Sequence, residues 1–112
     1  MSAVHLNRNL RLLHPASIPD GAGGFSITWQ EIGRLWAEVL PGSGREVGGE
    51  EITLSTVSYR ITVRGAPVGS PQRPMPGQRL MEGTRAFEIV AVTERDASGH
   101  YLTCFAREEL RT

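Results

Sequence analysis

Apolar and polar residues alternate over several short stretches of the chain, separated by segments rich in glycine and proline. The clearest stretch is residues 58–64 (SYRITVR), where Tyr59, Ile61 and Val63 fall on one face, and it predicts a half-buried strand. Four other stretches predict strands in the same way: residues 25–29, 78–81, 86–93 and 100–106. Residues 94–99 join the last two as a turn with Ser98-Gly99 at its apex.

Three parts of the pattern are open to more than one interpretation. Residues 34–40 read as a strand, with a helix over residues 30–40 as the alternative, since Ile32, Leu35, Trp36 and Val39 also fit a helical stripe. The leucine-rich residues 6–13 form a short strand or one helical turn, which Pro15 ends. Residues 52–55 begin either a helix or a strand.

Loops separate these elements at residues 15–24, 41–49 and 65–77, all rich in glycine or proline. The predicted fold class is all-β: a small antiparallel β-barrel of six or seven short strands, with a long glycine-rich loop and at most one short helix. Its length of 112 residues predicts a single domain over residues 1–112. Within it, residues 1–23 form an N-terminal strand or arm with a loop, and residues 107–112 form an exposed charged tail.

The charge is balanced overall but uneven along the chain. Twelve basic and twelve acidic residues give a formal charge of zero, which argues against duplex DNA binding as the main task. Residues 20–56 carry six acids against Arg34 and Arg45, whereas residues 57–87 carry five arginines against Glu82. Such opposed halves fit complementary faces of neighbouring subunits.

The sequence gives little support to catalysis, a metal site or a cofactor. Cys104 is the single cysteine and lies in an apolar run, which predicts a buried, inert thiol. The three histidines are scattered, and no nucleotide-binding or hydrolase motif is present. Trp29 and Trp36 lie in apolar runs, so core packing is a better interpretation than stacking on bases. Neither a signal peptide nor a membrane-spanning stretch is predicted, which favours the cytoplasm or an assembly built there.

A series of short motifs resembles the head-tail joining (head-closure or stopper) proteins of tailed phages and gene transfer agents. Their order and spacing, from about Leu10 to Phe105, carry the resemblance. The motifs are Pro15 after the leucines, Asp20-Gly21 with Gly23-Gly24, Trp29, Trp36-Ala37-Glu38-Val39, Ser43-Gly44-Arg45-Glu46, the strand from Tyr59 to Arg64, Arg79-Leu80, Phe87-Glu88-Ile89 and Leu102-Thr103-Cys104. The proline-crowded residues 67–76 depart from the family pattern.

The resemblance implies a structural ring, a hexamer or dodecamer, in the neck of a virion or gene transfer agent particle. It would have a portal-bound adaptor above, a tail terminator or tail tube below, and packaged DNA in its channel without sequence specificity. In similar proteins the connection after the second strand acts as a channel gate. Here that loop carries Gly42, Ser43, Gly44, Arg45, Glu46, Gly48, Gly49, Glu50 and Glu51. The candidate residues for subunit or neck contacts are Arg60, Arg64, Arg73 and Arg79.

Two other functions compete with a head-closure ring. A tail terminator or another neck protein also fits a β-rich ring, whereas an adaptor is expected to be largely helical. A nucleic-acid-binding barrel would show binding that weakens with salt, and the zero net charge argues against it.

Overall fold

Six strands are present in the computed structural model, which describes residues 3–42 and 56–109. They are β1 (Arg8–Pro19), β2 (Phe25–Pro41), β3 (Thr56–Arg64), β4 (Arg79–Glu82), β5 (Arg85–Glu94) and β6 (Tyr101–Glu109). All neighbouring strands are antiparallel, and they close into a barrel in the order β1-β2-β3-β6-β5-β4. The described residues contain no helix, and therefore none that is long and apolar enough to cross a membrane. The all-β prediction is confirmed.

The core fills the inside of the barrel with one face of every strand. Because side chains alternate between the two faces of a strand, every second residue points inward. The fully enclosed side chains are Leu10, Leu12, Ala37, Ile61, Val63, Leu80, Phe87, Ile89, Leu102, Cys104 and Ala106. The predicted strand of Tyr59, Ile61 and Val63 is confirmed, with all three on the inner face.

One end of the barrel is closed by a cluster of ion pairs on the inner face. Arg85 Nε donates to Glu108 Oε2 at 2.8 Å, and its Nη2 donates to Oε1 at 3.1 Å and to the Tyr59 hydroxyl at 3.3 Å. Arg8 makes a second two-pronged pair with Glu82. These charges lie on β1, β4, β5 and β6, so the cluster links four strands where the apolar core stops.

The segment between β3 and β4 covers the opposite end. Pro74 is fully buried, and Arg73 Nη1 donates to the backbone oxygen of Ala66 at 2.9 Å. Gln78 contacts the His14 ring at 3.1 Å and accepts from the backbone N of Met75 at 2.9 Å. The loop predicted at residues 65–77 therefore serves as a lid on the core.

The N-terminal half differs from the prediction in the length of its strands. Residues 25–29 and 34–40 belong to one continuous strand, β2, and not to two; residues 30–40 are extended and not helical. β1 runs through Pro15 as far as Pro19, so the predicted loop at residues 15–24 shrinks to residues 20–24. Proline is tolerated there because β4 pairs with β1 only at residues 11–13, which leaves the outer edge of β1 without a described strand that needs its N–H groups.

The C-terminal prediction also needs a correction. Residues 107–109 are part of β6 and pair with β3 and β5, so they are not an exposed tail. Glu108 points inward and is 6% exposed, because its carboxylate pairs with Arg85. Residues 110–112, and the possible helix at residues 52–55, lie outside the described residues.

Glycine is required where the β5–β6 turn meets the end of β3. Gly99, at the predicted apex, has a φ of 70°. A Cβ on Gly65 would lie 2.0 Å from the backbone oxygen of Gly99, closer than any real contact. Gly65 is therefore required by the close approach of the two backbones, and Gly99 by its left-handed conformation.

Candidate functional site

The predicted gate loop begins where β2 ends. The backbone N of Gly42 donates to the Ser58 oxygen at 2.9 Å, which extends the pairing between β2 and β3 by one bond. The remaining gate residues lie outside the described residues: Ser43, Gly44, Arg45, Glu46, Gly48, Gly49, Glu50 and Glu51. The gate stays a prediction.

The four arginines predicted as contact residues lie in three different places. Arg60 and Arg64 are exposed and share the outer face of β3. Arg73 is half-buried and turns inward to Ala66, over the end of the core. Arg79 lies with its guanidinium 4.0 Å from the centre of the Trp29 ring. The structure thus brings together only the first two.

Large side chains flank these two arginines on the neighbouring strands. Arg60 is paired with Leu40 of β2 and Phe105 of β6. Arg64 is paired with Tyr101, and the next step of the β2 register places Trp36 beside it. We call this surface the aromatic–arginine face; it consists of Trp36, Leu40, Arg60, Arg64, Tyr101 and Phe105.

The aromatic–arginine face is open and has the composition of a protein interface. Trp36 is 56% and Leu40 is 44% exposed. The six residues form two rows across the strands, one of Leu40, Arg60 and Phe105 and one of Trp36, Arg64 and Tyr101. The two rows lie roughly 13 Å apart along the strands. Between the rows, Arg95 and Glu38 face each other at 3.9 Å. Tryptophan, tyrosine, phenylalanine and arginine are the residues enriched where proteins meet.

A second apolar surface lies on the outer part of the β1–β2 hairpin. β1 pairs with β4 only up to Leu13, and β2 pairs with β3 only from Ala37, so in the described residues the hairpin beyond these points is two-stranded. We call residues 15–29 the hairpin arm. An isolated pair of strands has little core of its own, so this arm depends on its base or on a partner for order.

The hairpin arm presents its large side chains to the outside. Phe25, Ile27 and Trp29 share one face because they alternate along β2; the first is 71% and the second 64% exposed. Trp29 is half-buried under Arg79, which anchors the base of the arm to β4 through a cation–π contact. At the tip, Asp20 Oδ1 accepts from the backbone N of Ala22 at 2.8 Å and of Gly24 at 3.0 Å. These bonds lower the pKa of Asp20 and keep it charged.

Of these two surfaces, the sequence predicted only Arg60 and Arg64 of the aromatic–arginine face as contact residues. It assigned the two tryptophans to the core, which is wrong for Trp36 and only partly right for Trp29. The alternation at residues 25–29 predicts a strand, as observed, but Phe25 and Ile27 on its apolar face are exposed. The signal available was the pair of prolines, Pro15 and Pro19, in the partner segment, since prolines mark a strand edge without a neighbour.

The described residues offer little chemistry of other kinds. Cys104 is buried, as predicted, and burial raises its pKa to about 12, so it is an inert thiol at neutral pH. No group of three or more histidine, cysteine or acidic side chains in residues 3–42 and 56–109 could hold a metal ion.

Comparison with known proteins gives a consistent result. The family model described as phage head completion protein matches residues 1–109. A chain in the virion of a native gene transfer agent particle is 54% identical, with 95% of this chain and 96% of that chain covered and a TM-score of 0.78. The solution structure of protein SF1141 from Shigella flexneri 2a has the same fold at 23% identity, with 96% of each chain covered and a TM-score of 0.68. No curated protein is significantly similar.

Proposed function

This chain belongs to the phage head completion protein family, and from that membership we propose that it forms a ring in the neck of a phage or gene transfer agent particle. The ring closes the DNA-filled head after packaging and provides the surface on which the tail docks. We propose that the ring has adaptor subunits above it and the tail terminator or tail tube below it. DNA passes through its channel and is contacted without regard to sequence.

The observation that carries the proposal is the relative from the virion of a native gene transfer agent particle. At 54% identity over nearly the whole of both chains, the strands and the surfaces they expose are expected to correspond. The two open apolar surfaces support an assembly role, because a protein that acts alone rarely leaves such side chains uncovered. We assign no reaction to the chain: its roles are to fill space, to bind neighbours and to close a channel.

We propose that residues 42–51 form the gate of this ring. Glu46, Glu50 and Glu51 would place a ring of negative charge in the channel, and carboxylates repel DNA phosphates at close range. The glycines in the same stretch, among them Gly44, Gly48 and Gly49, would let the loop swing aside during ejection.

Changing all three gate glutamates to glutamine is expected to make the particles leaky. The substitution keeps the size of each side chain and removes its charge, so most particles should lose nuclease-protected DNA while their heads and tails still form. The control is Glu94→Gln, an exposed position on β5 away from the gate. Full retention of DNA by the triple variant would contradict the electrostatic gate, but it would not contradict the proposal that the chain forms a ring.

Deleting the gene in the producing cell tests the function directly. We expect electron microscopy to show heads separated from complete free tails, and nuclease protection to show that the heads have lost their DNA. A plasmid copy of the gene should restore joined particles. Tailed particles with normal DNA content would contradict the proposal, and heads with tails of abnormal length would favour a tail-terminator ring.

A further inference from the structure

The hairpin arm and the aromatic–arginine face are two different, exposed surfaces on one chain. Each contains large side chains that gain from burial, and Phe25 and Ile27 of the arm and Trp36 of the face are each more than half exposed. Such a pair is what a head-to-tail contact between identical subunits requires, because one surface of each copy meets the other surface of the next. If the rotation between copies closes, the contact generates a ring.

We propose that the hairpin arm of one copy docks on the aromatic–arginine face of the next copy. Phe25 and Ile27 would lie against Trp36 and Leu40, which buries the most exposed apolar side chains of both surfaces. The inference rests on the proposed function in one respect, since it needs several copies side by side.

The charges of the two surfaces are complementary. The arm carries Asp20 at its tip, held in the charged form by the backbone N–H groups of its turn. The aromatic–arginine face carries Arg60 and Arg64 in the exposed centres of its two rows. The approach of an acidic tip to a basic face favours this pairing over the approach of two arms or of two faces.

The free backbone edge of the arm, on β1, also favours docking through side chains over strand addition. Strand addition along β1 would need backbone N–H groups at its free edge, and Pro15 and Pro19 cannot donate. The outward face of the hairpin, in contrast, presents the exposed apolar side chains of Phe25 and Ile27. The arm is therefore suited to lie flat on a neighbour.

Site-specific photo-cross-linking in assembled particles tests the contact. A photoreactive residue replaces Ile27, and mass spectrometry identifies the peptide to which it attaches. We expect residues 36–40, 60–64 or 101–105 of another copy, and a ladder of cross-linked multimers. A cross-link within one copy is ruled out because Ile27 and Trp36 lie roughly 30 Å apart on one extended strand.

Two matched variants complete the experiment. The same probe at Val68, which is 86% exposed and outside both surfaces, should give no such ladder. Trp36→Thr, an exposed change that suits a strand, should reduce cross-linking from position 27 at least about tenfold. Attachment of the arm to a different protein, or no attachment in complete particles, would overturn the inference while the neck function stands. Complete particles after gene deletion would instead overturn the function.

Discussion

Replacing Phe87 by alanine is expected to lower the free energy of unfolding by about 3–5 kcal/mol, the cost typical of removing a buried phenylalanine ring. Phe87 is fully buried in the barrel. Its ring packs edge-on against Tyr59, with 5.2 Å between the ring centres, and the Arg85 guanidinium lies 5.0 Å from it. The cavity left by the ring would lie where the apolar core meets the ion-pair cluster.

Thermal unfolding followed by circular dichroism measures this effect. For a chain of this length 1 kcal/mol corresponds to roughly 4 °C, so the variant should melt roughly 12–20 °C below the parent. Phe25→Ala is the matched control, since it removes the same ring from a site that is 71% exposed. We expect it to change stability by less than about 0.5 kcal/mol. Equal losses in the two variants would contradict the separation between a folding core and an assembly arm.

The sequence predicts the barrel well where alternation coincides with burial. Tyr59, Ile61 and Val63 are spaced two apart and bounded by polar residues, and a strand with one buried face is the simplest structure that explains them. Residues 86–93 and 100–106 were found in the same way. The spacing of apolar residues and the residue types of turns are local properties of the sequence, so strands can be predicted from them without knowing which distant residues they contact.

Alternation does not reveal whether an apolar face points inward or outward, and this is why the apolar side chains of the two surfaces were not predicted to be exposed. Phe25, Ile27 and Trp29 have the pattern of a core strand, yet their part of β2 lies beyond the residues that pair with β3. A face that binds a partner and a face that packs inward obey the same period. The ion-pair cluster was not predicted from the sequence for a different reason. Arg8 and Glu82 lie 74 positions apart, and only the closed barrel brings them together.

The ion-pair cluster could not be predicted from the sequence, but a substitution within it has the second largest expected effect on stability. Replacing Glu108 by glutamine should lower the free energy of unfolding by about 1.5–3 kcal/mol at neutral pH, the contribution typical of hydrogen bonds to charged groups. The Glu108 side chain is 8% exposed and accepts two bonds from Arg85. The variant leaves that half-buried guanidinium with the longer contact to Glu82, at 3.9 Å, in place of the two bonds to a charged Glu108. Glu88→Gln is the matched control, because Glu88 pairs with the adjacent Arg107 at 3.2 Å but is 50% exposed.

The loss caused by Glu108→Gln should depend on pH in a defined direction. The hydrogen bonds and charge of Arg85 lower the pKa of Glu108 from its ordinary value of 4.5 in the folded protein, so the folded state binds a proton less readily than the unfolded chain. The stabilisation is fully present above about pH 4.5 and disappears as the pH falls through the lowered pKa. Glutamine does not titrate, so the melting temperatures of parent and variant should converge in acid. A difference that stays constant from neutral pH down to about pH 2 would show that packing at position 108, and not charge, produces it.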